Sequence, residues 1–343
     1  MDARAFIGQV KERVDARLAA YLGDKRDEAQ RLSPRSVLLV DGVEALTMRG
    51  GKRLRPALLA ASHRAVAPEA DLDATIAPSA ALELLQSFLL IHDDWMDADD
   101  ERRGGPAVHA DFRARLGNAH LADSLAVLAG DLAGAYAWEL FLAAPWPRDR
   151  VAQAQQRFLQ IHKEVFFGQH LDLTADPDVA RMHQLKTGSY TVRGPLLLGA
   201  MLGEGSEAQL GALDRAAEPL GEAFQLADDL LGTFGDPKVT GKPAGNDLRA
   251  GKHNAVVAVA RERLSEQARA AVELVLRLGV EADDIQVDRA IDALEGGGVR
   301  THVEARVTGL LDEADGVLAG APLGAEGVAL LREMGGLLAR RHA

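Results

Sequence analysis

Two pairs of aspartates, each at the end of a strongly apolar run, are the residues best suited to carry chemistry in this chain. In the stretch "LLIHDDWMDADDERRGGPAVH", Asp93 and Asp97 continue the four-residue steps of Leu85 and Leu89. Residues four apart lie on one face of an α-helix, so these carboxylates extend the apolar stripe instead of opposing it. The helix dipole also disfavours a carboxylate near a helix C-terminus, by about 0.3–1 kcal/mol. A solvated acidic surface explains this pattern poorly, whereas bound cations would stabilise it.

The second pair repeats the pattern in the stretch "EPLGEAFQLADDLLGTFGD". Leu220, Phe224 and Asp228 step by four, and Asp229 follows. The first motif has three carboxylates, Asp93, Asp94 and Asp97. Gly232 stands at the position that corresponds to Asp97, which leaves Asp228 as the main candidate metal ligand of the second motif. Oxygen ligands without cysteine favour a hard ion, and Mg²⁺ takes one or two carboxylates while keeping positions for phosphates and water. Two such helices facing one cavity would hold a cluster of Mg²⁺ ions above an apolar well.

Three groups of basic residues indicate which anion would share these cations. One lies in "GGKRLRP", before a helix start where free backbone N–H groups favour phosphate. The second follows the first acidic motif, and the third is spread over "KTGSYT" and the Gly/Pro-rich residues 232–252. The members are Lys52, Arg53, Arg55, Arg102, Arg103, Lys186, Lys238, Lys242 and Lys252. Each alone is more often an ordinary surface residue, but their coincidence with two acidic motifs predicts diphosphate binding.

Helices must position these residues. Apolar residues recur at three- and four-residue spacing from about Phe6 to Arg340, and strand-like alternation is nearly absent. No linker, low-complexity tract or repeat interrupts the pattern. A hydrophobic content of 47% with only 4% aromatic residues suits packed helices rich in Ala and Leu. We therefore predict an all-α protein with a single domain over residues 1–343.

Composition also limits location and partners. The 343 residues include no cysteine, which excludes disulfides and thiolate metal sites and fits a reducing compartment. A net charge of −12 argues against nucleic-acid binding. The N-terminal "MDARAFIGQVKERVDARLAAYL" carries charges throughout, unlike a signal peptide. No stretch reaches about eighteen apolar residues, so we expect no transmembrane segment and a soluble, cytoplasmic protein.

Together these motifs resemble those of the trans-isoprenyl diphosphate synthases, the polyprenyl synthetase family that includes farnesyl and geranylgeranyl diphosphate synthases. The resemblance covers nearly the whole chain. It rests on the ordered motifs "GGKRLRP", "ELLQSFLLIHDDWMDADDERRGGPAVH", "GQHLDL", "KTGSY" and "FQLADDLLGTFGDPKVTGKPAGNDLRAGK". The family implies the isoprenoid synthase fold, one large helical bundle around a central cavity, commonly as a homodimer.

The resemblance further implies roles for individual residues, all of them expectations at this point. Mg²⁺, three ions per active site, would be bound by Asp93, Asp97 and Asp228, with Asp94 and Asp229 beside them. Isopentenyl diphosphate would be bound by Lys52, Arg55, Gln86 and Arg103. The allylic diphosphate would be bound by Arg102, Lys186, Thr187, Gln225, Lys242 and Lys252. Gln169 and Asp172 would line the cavity. Asp93, Asp94, Asp97, Asp228, Lys186 and Arg102 would be the catalytic residues.

The implied reaction is a Mg²⁺-dependent head-to-tail condensation of isopentenyl diphosphate with an allylic diphosphate. Phe88 lies five residues before Asp93, about 7.5 Å along the helix axis, and in this family a bulky residue there forms the pocket floor. With Leu89 smaller than an aromatic residue, we expect geranylgeranyl diphosphate ahead of farnesyl diphosphate. A class I terpene cyclase and a non-catalytic regulatory subunit are the alternatives. The first needs no second diphosphate site, and the second usually lacks one of these motifs.

Overall fold

Helices make up nearly all of the molecule, as the three- and four-residue apolar spacing predicts. The computed structural model describes residues 2–144, 146–174, 176, 178–235 and 243–339. Lys238 and Lys242 of the predicted basic groups therefore lie outside the described residues.

The helices occupy most of every described range. In chain order they are α1 (Ala3–Leu32), α2 (Val37–Met48), α3 (Leu54–Val66), α4 (Ile76–Met96), α5 (Val108–Leu116), α6 (Ala119–Leu142), α7 (Arg148–Leu173), α8 (Val179–His183), α9 (Gly194–Leu202), α10 (Glu207–Phe234), α11 (Asn246–Arg249), α12 (Ala255–Arg263), α13 (Glu266–Leu278), α14 (Asp284–Gly296), α15 (Val299–Ala319) and α16 (Ala325–Ala339). Short 3₁₀ turns span Pro34–Ser36, Leu72–Thr75 and Gly279–Glu281, and the segment Gln184–Arg193 is a π-helix.

The chain divides into two compact units. Unit 1 comprises residues 1–157, 195–206 and 324–330, and unit 2 comprises residues 158–194, 207–323 and 331–343. The first acidic motif belongs to unit 1 and the second to unit 2. The prediction of one domain over the whole chain stays a prediction.

Unit 1 is organised around α4 and α6, its most extensive helix pair. Two glycines of α6 permit the close approach. An ideal Cβ at Gly130 would lie 2.7 Å from the His92 ring, and one at Gly134 would lie 3.4 Å from the Phe88 ring. Residues 76–85 of α4 are all buried. This buried length anchors α4 and so fixes its C-terminal end, where the aspartates lie.

Unit 2 is organised around α10, which carries the second acidic motif and packs mainly on α15. Leu226 and Leu230 of α10 lie in one buried apolar cluster with Val303, Val307 and Leu310 of α15. Both helices present residues three and four apart to this cluster, which is the spacing of an amphipathic helix. Leu226 and Leu230 are not members of the stripe read from the sequence, Leu220, Phe224 and Asp228, so a second apolar face of α10 holds it against α15.

One short element departs from the all-α prediction within the described residues. The strands β1 (Glu101–Arg102) and β2 (Gly105–Pro106) form an antiparallel hairpin directly after the first acidic motif. Its two central residues, Arg103 and Gly104, both have positive φ, at 54° and 70°. This is the backbone of a tight two-residue hairpin turn, and it allows the chain to reverse just beyond the acidic run.

Two helical stretches in the described part of the chain are long and apolar enough to cross a membrane, residues 72–96 and 119–142. This finding does not contradict the sequence-based expectation of no transmembrane segment, which stays a prediction. In their most apolar windows, 72% and 50% of the residues are buried inside the protein. The core helices of a water-soluble protein pass the same test, and α4 and α6 pack against each other as core helices do.

Candidate active site

The acidic end of α4 presents two of its aspartates outward. α4 ends at Met96, and Asp97 is its C-cap, with its N–H donating to the Asp93 carbonyl at 2.9 Å. The Asp93 side chain is 21% exposed, and Asp97 is exposed. Ala98 then adopts a left-handed φ of 54°, which turns the chain away from the helix axis. Asp93 and Asp97 thus lie one helical turn apart, the first half-buried and the second exposed.

Asp94 differs from both because its side chain is fully buried. Its Oδ1 accepts a hydrogen bond from Arg102 Nε at 2.6 Å. Arg102 Nη2 also lies 3.4 Å from Asp99 and 3.8 Å from Asp93. Burial raises the pKa of the Asp94 carboxyl, and the Arg102 guanidinium opposes that rise. Asp94 therefore anchors Arg102 beside Asp93 and has no open face of its own.

Consecutive arginines on the hairpin contact different partners. Arg102 contacts the acidic motif, whereas Arg103 Nη1 donates to the carbonyls of Leu46 and Gly50, each at 3.3 Å. Burial is the main cause that lowers the pKa of Arg103, and neighbouring arginines lower it further while Glu83 opposes them. A cation in such a crowded positive environment favours a bound anion.

The glycine-rich turn before α3 holds the other predicted diphosphate ligands. α3 begins at Leu54, so Arg55 is its second residue; Arg55 is half-buried and Lys52 is exposed. Arg53, which the sequence groups with them, is instead 2% exposed and ion-paired inside the unit. It is therefore wrong to count Arg53 among the cations presented to an anion.

Arg49 is a residue that sequence analysis missed. Its guanidinium donates to the Arg102 carbonyl at 3.1 Å and to the Pro106 carbonyl at 2.8 Å. Gly105 leaves room for it, since an ideal Cβ there would lie 2.7 Å from the guanidinium carbon. Arg49 thus ties the hairpin to the end of α2. Nothing in its sequence context distinguishes it from a surface arginine.

The predicted residues further down α4 are all half-buried. They are Gln86, Phe88 and Leu89. The Phe88 ring meets His92 edge-on, with centroids 4.9 Å apart, and it lies over Gly134 of α6. An ideal Cβ at Gly134 would lie 3.4 Å from this ring, an ordinary contact distance, so the Phe88 ring packs closely over the α6 backbone.

In unit 2, Asp228 is exposed and Asp229 is 3% exposed. Asp229 accepts hydrogen bonds from Gln225 Nε2 at 2.8 Å and from the Ala255 N–H at 2.9 Å. Burial raises the pKa of Asp229 to about 6, and both hydrogen bonds oppose that rise. Asp228 is thus the accessible carboxylate of this motif, while Asp229 and Gln225 link α10 to the start of α12.

A steric reason explains why residue 232 is a glycine. An ideal Cβ there would lie 2.2 Å from Oδ2 of Asp247, a residue of α11. The Asp247 carboxylate also contacts Lys252 Nζ at 3.1 Å and Asn254 Nδ2 at 3.4 Å. A third aspartate at position 232 would displace this carboxylate, so the glycine and Asp247 belong together.

The remaining predicted ligands of unit 2 lie on α7 and the π-helix. Lys186 Nζ contacts Asp172 Oδ2 at 2.5 Å, and Thr187 and Gln169 are half-buried. An ideal Cβ at Gly168 would lie 2.2 Å from the Lys186 backbone nitrogen, so α7 and the π-helix touch through their backbones. π-Helical turns occur frequently at functional sites. Lys242 lies outside the described residues.

No group of three His, Asp or Glu side chains forms a ready-made metal cage in the part of the chain that the structure describes. The half-buried Asp93 and the exposed Asp97 of unit 1, and the exposed Asp228 of unit 2, each suit Mg²⁺, which commonly takes one or two carboxylates and completes its shell with phosphate and water. Their oxygen-only chemistry suits such a hard ion.

Comparison with known proteins identifies the chain's family. The family model described as "Polyprenyl synthetase" matches residues 37–294. The chain belongs to the polyprenyl synthetase family. This membership confirms the sequence-based assignment to the trans-isoprenyl diphosphate synthases, which are prenyltransferases.

Similar proteins place this polyprenyl synthetase among enzymes that make short prenyl chains. It is 33% identical to a geranylfarnesyl diphosphate synthase of Aeropyrum pernix, with 81% of this chain and 86% of that one covered. It is 35% identical to a geranylgeranyl diphosphate synthase of Mycobacterium tuberculosis, with 75% and 71% covered.

A solved structure confirms the isoprenoid synthase fold for this polyprenyl synthetase. It is a Corynebacterium glutamicum geranylgeranyl pyrophosphate synthase complexed with isoprenyl diphosphate and magnesium. The two chains are 30% identical, with a TM-score of 0.87 and coverage of 99% of this chain and 100% of that chain.

Proposed function

We propose that this polyprenyl synthetase condenses isopentenyl diphosphate with an allylic diphosphate. One observation carries the proposal. Unit 1 has two cationic sets in different settings, Arg102 beside the aspartates of α4, and Lys52, Arg55 and Arg103 around the glycine-rich turn. One set suits a diphosphate that shares a metal with carboxylates, and the other suits a diphosphate held by cations alone. A terpene cyclase has one diphosphate to bind and no use for the second set.

In the first half of the reaction the allylic C–O bond breaks and its electron pair leaves with diphosphate. Arg102, fixed by buried Asp94, neutralises the charge that develops on the leaving group. Lys186 and the other unit 2 ligands, Thr187, Gln225, Lys242 and Lys252, serve the same diphosphate. Fixed charges aimed at a developing anion are typically worth about 2.7–4 kcal/mol each by mutation. Mg²⁺, when bound by Asp93, Asp97 and Asp228, supplies further Lewis-acid neutralisation, with three ions as the expected number.

In the second half the alkene of isopentenyl diphosphate attacks the allylic carbon, and a proton is lost from isopentenyl diphosphate to the released diphosphate. Lys52, Arg55, Gln86 and Arg103 hold the isopentenyl diphosphate in place. The apolar side chains of α4 below the aspartates keep water from the cation. We propose that residues 1–343 form one domain.

Product length is the part of the function that Phe88 determines. Its backbone lies about 7.5 Å along α4 from that of Asp93, at 1.5 Å per residue, and its ring packs over Gly134 of α6. A bulky floor at this depth suits geranylgeranyl diphosphate, with farnesyl diphosphate as the second candidate because curated relatives include farnesyl diphosphate synthases.

The protein acts as a homodimer through the outer face of α6. Leu121, Leu128 and Leu142 are each about half exposed on this helix, and an exposed apolar stripe on a packed helix marks an interface. Light scattering after gel filtration gives the mass directly. Leu128→Glu should shift a dimer to a monomer, whereas a wild-type monomer would contradict this assignment.

The test of function is incubation of purified protein with Mg²⁺ and isopentenyl diphosphate. Dimethylallyl, geranyl or farnesyl diphosphate is added in separate reactions, and products are identified by mass spectrometry. A twenty-carbon product from all three primers is expected. A fifteen-carbon limit would favour the farnesyl alternative, and no elongation of any primer by folded protein would refute the proposal.

A further inference from the structure

Arg53 lies between two proposed ligands of isopentenyl diphosphate and points the opposite way. Lys52 is exposed and Arg55 is half-buried, whereas the Arg53 side chain is only 1% exposed. A guanidinium is rarely buried to this extent unless its charge and its N–H groups are matched. The contacts of Arg53 therefore identify the helices to which the turn of residues 50–53 is attached.

The Arg53 guanidinium uses each of its three nitrogens on a different helix. Nε donates to Asp15 Oδ1 of α1 at 2.7 Å, and Nη1 donates to Glu83 Oε2 of α4 at 2.5 Å. Nη2 donates to the Thr47 carbonyl of α2 at 2.8 Å. The guanidinium presents its donors from three nitrogens in a rigid planar fork, whereas a lysine ammonium offers its three donors from a single nitrogen and reaches three separate helices less well.

The hydroxyl groups around this fork connect α2 to α4 as well. Thr47 Oγ1 and Ser87 Oγ lie 2.7 Å apart, and Ser87 Oγ donates to the Glu83 carbonyl at 3.1 Å. Both hydroxyls are buried. The carboxylate that receives Arg53 is thus held on a stretch of α4 that is itself fixed to α2.

The backbone conformation of the turn of residues 50–53 depends on these contacts. Gly50, Gly51 and Arg53 have φ values of 85°, 117° and 50°. A non-glycine residue in this left-handed region is disfavoured and persists only where its surroundings determine it. Arg53 is also the N-cap of α3, without a side-chain capping bond. Its three ionic and polar contacts are what determine this conformation, and they set the directions of Lys52 and Arg55.

The same carboxylates shape the charge of the site. Four cations, Lys52, Arg53, Arg55 and Arg103, belong to this small region, and mutual repulsion would spread them. Asp15 and Glu83 together neutralise the buried Arg53 and Lys11, which also pairs with Asp15. Arg53 therefore adds no unbalanced charge to this region.

We propose that Arg53 is a positioning residue for the isopentenyl diphosphate site, acting through Asp15 and Glu83 to hold the turn of residues 50–53 so that Lys52 and Arg55 meet the diphosphate. This inference rests on the proposed function. It also assigns a role to α1, since Asp15 of α1 lies outside residues 37–294, the part of the chain that the family model matches.

The test is steady-state kinetics of Arg53→Lys, with isopentenyl diphosphate varied at saturating geranyl diphosphate and then the reverse. Each charged hydrogen bond is worth roughly 1.5–3 kcal/mol, so the KM for isopentenyl diphosphate should rise about ten- to hundredfold. The KM for geranyl diphosphate should stay unchanged. Asp15→Asn removes the negative charge from one of the three contacts and is the milder variant should Arg53→Lys fold poorly. It should raise the same KM by a smaller factor.

Two controls separate positioning from general loss of structure. Arg26→Lys alters an arginine that pairs α1 with Asp41 of α2 at 2.9 Å on the surface, and it should leave both KM values unchanged. Leu58→Ala removes a buried side chain of α3, and it should lower the thermal midpoint without a selective change in either KM.

The outcomes are distinct. A selective rise in the KM for isopentenyl diphosphate supports the role of Arg53. Equal rises in both KM values, or a lowered thermal midpoint with the kinetic pattern of Leu58→Ala, would overturn it. A double variant Asp15→Asn, Arg53→Lys should raise the KM less than the product of the two single effects, because the contact is already lost in each. Failure of the wild-type protein to elongate any primer would instead refute the proposed function itself.

Discussion

At the end of α4, Asp94 is buried against the guanidinium of Arg102, whereas at the matching position of α10, Asp229 is buried against the Gln225 amide and the Ala255 N–H. Both follow an outward-facing aspartate, Asp93 or Asp228. The same Asp-Asp pattern therefore serves two purposes. In unit 1 the second aspartate holds a cation next to the first, and in unit 2 it caps a neighbouring helix.

The two helices also differ five residues before the leading aspartate. α4 has Phe88, half-buried and backed by Gly134, whereas α10 has Ala223, which is 1% exposed in the apolar core. At this position a bulky side chain is thus present on α4 and absent from α10. Substitutions at the aspartates and at Phe88 test both contrasts.

The largest effect is expected from Asp93→Asn. The carboxylate is replaced by a neutral amide of the same size, so a metal-binding charge is lost while packing is kept. We expect kcat to fall about 10²- to 10³-fold, the usual cost of losing one transition-state charge contact, and the Mg²⁺ concentration for half-maximal activity to rise. Glu101→Gln, an exposed acid of β1, is the matched control. Equal losses in the two variants would contradict a specific role for Asp93.

The next largest effect is expected on the free energy of unfolding, from substitution of the buried aspartates Asp94 and Asp229. Asp94→Asn leaves Arg102 without its buried counter-charge, and breaking a buried ion pair costs roughly 3–5 kcal/mol. Asp229→Asn keeps an oxygen that accepts the Ala255 N–H and should cost about 1 kcal/mol. Urea unfolding of both variants without metal measures the difference in the free energy of unfolding. Equal destabilisation would remove the contrast between the two motifs.

A pH dependence follows from Asp229. Burial raises its folded-state pKa from 3.8 to about 6, so between these values the folded protein binds a proton that the unfolded chain has released. Its contribution to stability is highest below about pH 4, declines as pH rises to about 6, and is constant above, with a total of at most about 3 kcal/mol. The free energy of unfolding of wild type minus that of Asp229→Asn, measured without metal, should show this decline. A flat difference between pH 4 and pH 7 would contradict it.

The smallest effect on kcat is expected from Phe88→Ala, for which product length is the readout. Removal of the ring opens the path along α4, so the product mixture should shift toward chains longer than twenty carbons while kcat changes little. Mass spectrometry of the extracted products measures the shift. Leu90→Ala, a neighbouring half-buried residue of α4, should leave the product unchanged. An unaltered product from Phe88→Ala would rule out its role as the floor.

Much of the fold was predictable because it depends on local periodicity. Of the stepped apolar residues that lead to Asp93 and Asp228, Leu85, Leu220 and Phe224 are buried and Leu89 is half-buried. The family assignment follows from five motifs in order. The hairpin of residues 101–106 was not predicted, since four paired residues produce no alternating pattern. Its turn could have been suspected from Arg-Gly at residues 103–104, but an arginine with positive φ is uncommon.

The roles of neighbouring charged residues were less predictable. Lys52, Arg53 and Arg55 look alike in the sequence, yet Arg53 is buried while Lys52 is exposed. The acceptors of Arg53 come from α1, α2 and α4, at sequence separations of 38, 6 and 30 residues. A pattern within seven residues contains no information about partners so far along the chain.

By itself, the sequence determined the helical class, the family and the identity of the outward carboxylates, because these depend on residue type and on spacing along a single helix. Only the tertiary structure decided which charges are buried and paired: Asp94 with Arg102, Asp229 with a helix N-terminus, and Arg53 with Asp15 and Glu83. Burial and pairing depend on atoms from separate helices, and charge in a low-dielectric interior is stable only where such partners converge.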